Sequence, residues 1–298
     1  MRAMRFVVLS SVLAAVGCGG MEQSDSMDVQ ANGRGGGLVS TEAHVGGQAG
    51  PGNGISYHGG PIMTGTKTIY YIWYGNWSGN NASTILTDLA NGFSGSAYYN
   101  INTLYTNSSG GKVDNSATFG GSTTVAYPYG TNLSDAQIQS VVADAINGGA
   151  LPKNTNAVYF VLTSADVNAS SGFCTQYCGW HTHGTIAGSD IKYSFVGNPD
   201  RCPSACEMYP NSGPNGNAGA DGMVSILAHE LEETVTDPDL NAWYDLQGYE
   251  NADKCAWTFG TQYTASNGGK YNVTLGSRNY LIQQNWVNAA GGYCAMSY

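Results

Sequence analysis

Hydrophobic and polar positions divide the chain into three parts. Phe6 to Val16 form a short apolar run behind Arg2 and Arg5. Residues 19 to about 54 show no apolar periodicity and are dense in Gly, Ser and Asn, the pattern of a flexible tether. From residue 55 onward, apolar runs alternate with helical patterns and no second linker interrupts them, so 55–298 reads as one domain.

Within that domain, β-branched and aromatic residues predict a strand at Thr68 to Trp73, followed by a helix at about Ala82 to Ala90. "SDAQIQSVVADAINGG" carries a capping box at Ser134 and Gln137 and an apolar stripe at Ile138, Val141, Val142 and Ala145. Its stop is Gly148. Asn156 opens the continuous apolar run of a buried strand. Ile191 to Gly197 alternates, as an exposed edge strand would. The last helix lies in "DGMVSILAHELEETVTDPD", where Val224, Leu227, Ala228, Leu231 and Val235 bury one face and Pro238 ends the helix at or before Asp237. With a further strand between the first two helices, the order predicts a single α/β domain: a mixed, mostly parallel sheet flanked by helices.

The apolar N-terminal run is too short to span a bilayer, and its charged start marks an export signal over residues 1–17. Ala14, Ala15 and Gly17 before Cys18 resemble a lipobox, which would lipidate Cys18 and make residues 18–54 a tether. Cleavage elsewhere would release a free secreted protein. Either way the chain is extracytoplasmic, lipid-anchored to a bacterial envelope or secreted, with membrane contact only through the N-terminal lipid. Net charge is −10, and removal of Arg2 and Arg5 makes it more negative, which argues against nucleic acid as a partner. With 42% hydrophobic and only 11% charged residues, the chain can bury a core.

Outside Cys18 there are six cysteines, Cys174, Cys178, Cys202, Cys206, Cys255 and Cys294, an even number that suits three disulfides in an oxidising compartment. Connectivity is open among fifteen pairings. Local spacing suggests Cys174–Cys178 and Cys202–Cys206, leaving Cys255–Cys294; a four-thiolate zinc site is the rival.

The acidic helix carries the candidate chemistry. His229 and Glu233 lie one turn apart on one side, with Glu230 adjacent. His-Glu-x-x-Glu differs only in its last position from the zincin motif, and a carboxylate oxygen binds zinc at nearly the imidazole distance. Clustered carboxylates in a half-buried helix are costly unless a cation neutralises them. Zinc would then be held by His229, Glu233 and a third ligand, Glu250, with Asp239 as the alternative. Asp253 or Asp237 would accept from the other ring nitrogen of His229, and Glu230 would be the general base on a metal-bound water. Calcium is the alternative cation, disfavoured by the imidazole. In "CGWHTHG", His181 and His183 fall on one face if extended; they suit a metal, an oxyanion or a structural role. His44 lies in the tether, and His58 is as readily structural as functional.

Several stretches resemble the EXORDIUM / phosphate-induced protein family of plant apoplastic proteins: "YHGGPIMTG", "IWYGNW", "NAVYFVLTSADV" leading to "GFCTQYCGWHTHG", "FVGNPDRCPSAC", "PNGNAGADGMVSILA" and "ENADKC". The resemblance runs in order from about Tyr57 to the C-terminus. It implies a secreted, disulfide-bonded protein linked in plants to cell-wall growth and brassinosteroid responses, without an established catalytic activity. It also isolates a departure: after "DGMV" the plant proteins typically continue with a small-residue apolar helix, where this chain has His229, Glu230, Glu232 and Glu233. Asp237-Pro238 likewise stands where they have Asn-Pro.

Two functional expectations follow. The first is a zincin-like zinc metallohydrolase, a peptidase acting on a protein, peptide or cell-wall polymer. The second is a non-catalytic envelope or extracellular carbohydrate-binding protein of the EXORDIUM type that stacks sugars on Tyr and Trp, with calcium as a stabiliser.

Overall fold

The computed structural model describes residues 54–298. The signal, Cys18 and tether expectations fall on 1–53, outside the described residues. Strand β1 (Lys67–Tyr74) is followed by helix α1 (Ala82–Gly92), strand β2 (Ala117–Val125) and helix α2 (Asp135–Asn147). Strands β3 (Ala157–Thr163), β4 (Gly179–Ile186) and β5 (Ser189–Val196) come next, then helix α3 (Ala218–Thr236).

These strands form one mixed sheet in the order β2-β1-β3-β5-β4. The pairs β1/β2, β1/β3 and β3/β5 are parallel, and β4/β5 is antiparallel. β3 is buried along its whole length, as a strand covered on both faces must be. β2 lies at the edge, so Thr118, Gly120, Ser122 and Thr124 alternate outward into solvent.

Two glycines of β4 show how the layers lie. A Cβ on Gly179 would strike Ile226 of α3, and one on Gly184 would strike Gln139 of α2. Residues an odd number apart point to opposite faces, so α2 and α3 cover opposite sides of the sheet. The Ser134–Gln137 capping box starts α2 as the sequence predicts.

Two expectations change. Ile191–Gly197 was expected at an exposed edge, but β5 lies inside the sheet, between β3 and β4, with Lys192 and Ser194 buried. The edge position is taken by β4, joined to β5 through Ala187-Gly188, both at positive φ. Helix α3 is also buried all round from Gly219 to Thr236 rather than along one stripe. α1 and the 199–201 turn flank the helix, and the C-terminal segment, built of short antiparallel ladders (273–275 with 278–280, 285–287 with 293–295), wraps onto it: the Gln283 N–H donates to Ser225 Oγ at 3.1 Å and the Asn285 amide to Glu232 Oε2 at 2.8 Å. Tyr98 donates to Gln283 O at 3.1 Å and Tyr105 to Trp286 O at 2.8 Å, fixing that wrap to the body.

The disulfides are Cys174–Cys202, Cys178–Cys206 and Cys255–Cys294. The third matches expectation; the two local pairs do not. Cys202 caps and Cys206 ends the helical turn Pro203–Cys206, which lies alongside the Cys174–Cys178 loop, so each cysteine meets its counterpart across two rungs. All four thiols of the rival zinc site are consumed. Among the described residues, no helix is long and apolar enough to cross a membrane.

Candidate metal centre

Helix α3 starts where the Asn217 side chain accepts the Ala220 N–H at 3.1 Å and stops where Asp237 leaves helical geometry before Pro238. Four residues apart on it, His229 Nε2 and Glu233 Oε1 approach to 2.9 Å. Asp253 Oδ1 lies 3.4 Å from the same nitrogen. Around the other oxygen of Glu233 stands a second triad: His181 Nε2 is 3.7 Å from Glu233 Oε2 and 3.1 Å from Glu250 Oε2.

Each partner is placed by a local device. His181 sits on β4 two residues from Gly179, on the face turned to α3, and the absent side chain at Gly179 lets the helix close on the strand. Glu250 and Asp253 share a tight turn in which Asp253 Oδ2 accepts the Glu250 N–H at 3.2 Å and the Lys254 N–H donates to Glu250 O at 3.1 Å. The Asp253 N–H donates to Glu233 Oε1 at 3.1 Å, and Cys255–Cys294 pins the next residues.

Glu230, Glu233, Glu250, Asp253, His181 and His229 are each no more than 7% exposed. Glu230 lines a cavity of roughly 20 Å³ with His229, Ser225, Ile226 and Gln283, room for about one water. Glu230 Oε2, Glu233 Oε2 and Glu250 Oε1 have no hydrogen-bond partner, and Asp253 Oδ1 and His229 Nε2 meet only within the cluster, without hydrogen-bond geometry. An unpaired buried carboxylate oxygen is expensive. Burial, reinforced by neighbouring carboxylate charge, drives the Glu250 carboxyl well above its usual range; burial also raises Glu230, Glu233 and Asp253, against the pull of His229. Burial lowers His181 to about 4 despite Glu233, which leaves it in the neutral, ligating form. For His229, burial is outweighed by the Glu233 charge and the Asp253 and Glu233 contacts, and its pKa is raised well above 6.5.

This donor set fits a divalent cation. Ligands at 2.0–2.2 Å on a tetrahedral ion lie about 3.3–3.6 Å apart, and the contacts here span 2.9 to 3.7 Å. A positive ion would reverse the electrostatic logic and hold every carboxylate ionised. Gln283 Nε2 contacts Nδ1 of His229, and Gln283 Oε1 accepts the Trp257 N–H at 3.0 Å. A cation on Nε2 leaves the proton on Nδ1, so loading requires the Gln283 amide to turn its oxygen to the ring.

The structure thus gathers His229, Glu233 and Glu250, with Glu250 reaching Glu233 beside His181 rather than His229. Asp253, expected behind His229 on its other nitrogen, faces the same nitrogen as Glu233. Asp237 does not orient His229; its Oδ1 accepts the Asn241 and Ala242 N–H groups at 2.6 Å. Asp239 lies outside the cluster: past Pro238 the chain carries it to the β4/β5 hairpin, where it pairs with Lys192 and lies 3.7 Å from His183. His183 and Asp190 complete a half-exposed triad there, whose two carboxylates share Lys192 as their partner. His181 was the member hardest to assign from sequence; its signal was the alternation that puts it on one strand face with His183. His58 stacks on Tyr244 at 3.7 Å, a structural contact.

The family model for the phosphate-induced protein 1 conserved region matches residues 55–295. The chain belongs to the phosphate-induced protein 1 family. Relatives of this family member include Protein EXORDIUM-like 3 of Arabidopsis thaliana, 32% identical over 279 residues, which cover 80% of this chain and 82% of the relative. Protein EXORDIUM-like 5 of the same plant is 32% identical over 273 residues, 78% of this chain and 75% of the relative. Protein PHOSPHATE-INDUCED 1 of Nicotiana tabacum is 28% identical over 220 residues, 64% and 67%. No solved structure matches this phosphate-induced protein 1 domain.

Proposed function

We propose that the protein is a non-catalytic, extracytoplasmic carbohydrate-binding member of its family, and that the acidic constellation is a closed cation centre that stabilises the fold. The supporting observation is where the molecule is narrow and where it is wide. A catalytic metal keeps a position for substrate, whereas a structural one is enclosed. Glu230 and its neighbours face a space of roughly 20 Å³, too small for a peptide or a sugar. The zinc-peptidase expectation therefore gains no route for substrate, and no relative's name points to hydrolysis.

A wide site lies past the carboxyl ends of β1 and β2, where ligands of α/β sheets commonly bind. There a cleft of roughly 470 Å³ is lined by Trp73, Trp77, Asn76, Ser83, Ser122 and Thr124. Trp77 is half-buried, packs edge-on against Trp73 with centroids 5.0 Å apart, and donates its indole N–H to Tyr74 O at 3.2 Å. Its polar handle is thereby used, and the ring offers an apolar face beside exposed hydroxyls, which suits the mixed character of a sugar. Three disulfides support an oxidising, extracytoplasmic setting.

The test is a glycan array of plant and bacterial wall polysaccharides followed by calorimetry. The proposal predicts glycan binding that Trp77→Ala weakens about tenfold, near 1.4 kcal/mol. Wild-type protein that binds no glycan, or binding that Trp77→Ala leaves intact, would overturn it.

A further inference from the structure

Glu233 is the shared member of two triads, and it presents a different oxygen to each. We infer that the centre holds two divalent cations of the zinc class: one between His229, Asp253 and Glu233, the other between His181, Glu250 and Glu233, with Glu233 as the bridge. This deepens the reading of the constellation as a cation centre and rests on it.

Geometry is the first support. His229 Nε2, Glu233 Oε1 and Asp253 Oδ1 form one group whose atoms all lie within 4.8 Å of one another, and His181, Glu233 and Glu250 form a second; the two histidines fall in separate groups. A single ion at 2.0–2.2 Å from its ligands would draw on one group and leave the other histidine to a bare carboxylate.

Charge is the second. Ionised, Glu230, Glu233, Glu250 and Asp253 bring four negative charges into a space closed to solvent. Their ion pairs among the described residues are all with histidine. Lys254, the nearest lysine in sequence, is paired to Asp245 at 2.8 Å. One dication leaves the cluster well short of neutral, and a second offsets most of the remainder.

The third support is that unpartnered atoms remain in both triads. Glu250 Oε1 and Glu233 Oε2, of the His181 triad, are buried without a hydrogen bond, and Asp253 Oδ1 and His229 Nε2, of the other, face one another at 3.4 Å without hydrogen-bond geometry. The second oxygen of Asp253 holds the Glu250 N–H, so the ligands of one triad position those of the other. One imidazole in each triad selects zinc-class ions over calcium.

The experiment uses the full chain, produced with zinc in the medium and exchanged into metal-free buffer. Metal is counted by elemental analysis and located by anomalous scattering at the zinc edge. Two ions per chain, on either side of the Glu233 carboxylate, is the expected result, with His181→Asn reducing the count to one and leaving the ion beside His229. One ion per chain in the wild type overturns the two-cation inference while sparing the cation centre, and a count of zero overturns both. Two ions unaffected by His181→Asn would overturn the assignment of the second triad. Should that variant fail to fold, the anomalous map of the wild type decides alone.

Discussion

At the scale of single residues, the molecule is shaped by the cost of burying carboxylates. Asp237 shows that cost where the hydrogen-bond partners are backbone N–H groups, with the Glu233 charge adding to it. Burial raises it from 3.8 to about 6, an effect that the N–H groups of Ala242, Asn241 and Trp243 only partly offset. A folded pKa above the unfolded one means the unfolded chain releases its proton first, so stability falls as pH rises from about 4 to 6 and levels off above. Asp237→Asn lacks this loss, and chemical denaturation across that window should show the variant gaining roughly 3 kcal/mol on the wild type. A constant gap between the two would mean that Asp237 is ionised in the fold throughout. Glu230 provides a second test. It faces the cavity and belongs to neither triad, so Glu230→Gln should leave the metal content unchanged; loss of an ion would make it a ligand.

At the scale of elements, strands and helices were largely readable where one physical signal dominated. The continuous apolar run of β3 and the Ser134 cap of α2 lie where the sequence predicts. β5 misled because Lys192 and Ser194 alternate with apolar residues, yet they are buried by pairing: Lys192 with Asp190 and Asp239, Ser194 with Trp180 O at 2.8 Å. Polar alternation marks an edge only when the polar groups lack partners inside. The β4/β5 hairpin was hidden for a related reason, since its two-residue turn is Ala187-Gly188 rather than Asn-Gly. With φ of 51° and 72°, this turn has the handedness of a type I′ hairpin, costly for alanine at its first position. Ala187→Asn should therefore raise stability by about 0.5–1 kcal/mol, read from the denaturation midpoint. A neutral or negative result would show the turn to be unstrained. The full burial of α3 could not be read from its own residues, because the covering segment lies some fifty residues further along the chain.

At the scale of the whole molecule, the C-terminal wrap, Cys255–Cys294 and the ligand turn form one unit. The bridge closes a loop of 39 residues and follows Asp253 by two positions. Replacing both cysteines with serine should cost about 2–5 kcal/mol. It should also weaken cation retention by loosening the turn that carries Glu250 and Asp253, measurable as faster loss of zinc to a chelator. Equal rates would separate the disulfide from the centre. The candidate ligands on α3 were visible as a motif, whereas His181 lies 48 residues before His229 and joins them only because β4 runs beneath the helix. The central claim is that a cation holds these buried acids together, and thermal unfolding of the purified protein before and after chelation tests it most directly. A ligand at a thousandfold excess over its Kd contributes about 4 kcal/mol, or about 8–16 °C in a domain of this size. The account predicts a fall of that order on chelation, restored by zinc; superimposable curves from protein shown to be metal-loaded and then metal-free would contradict it.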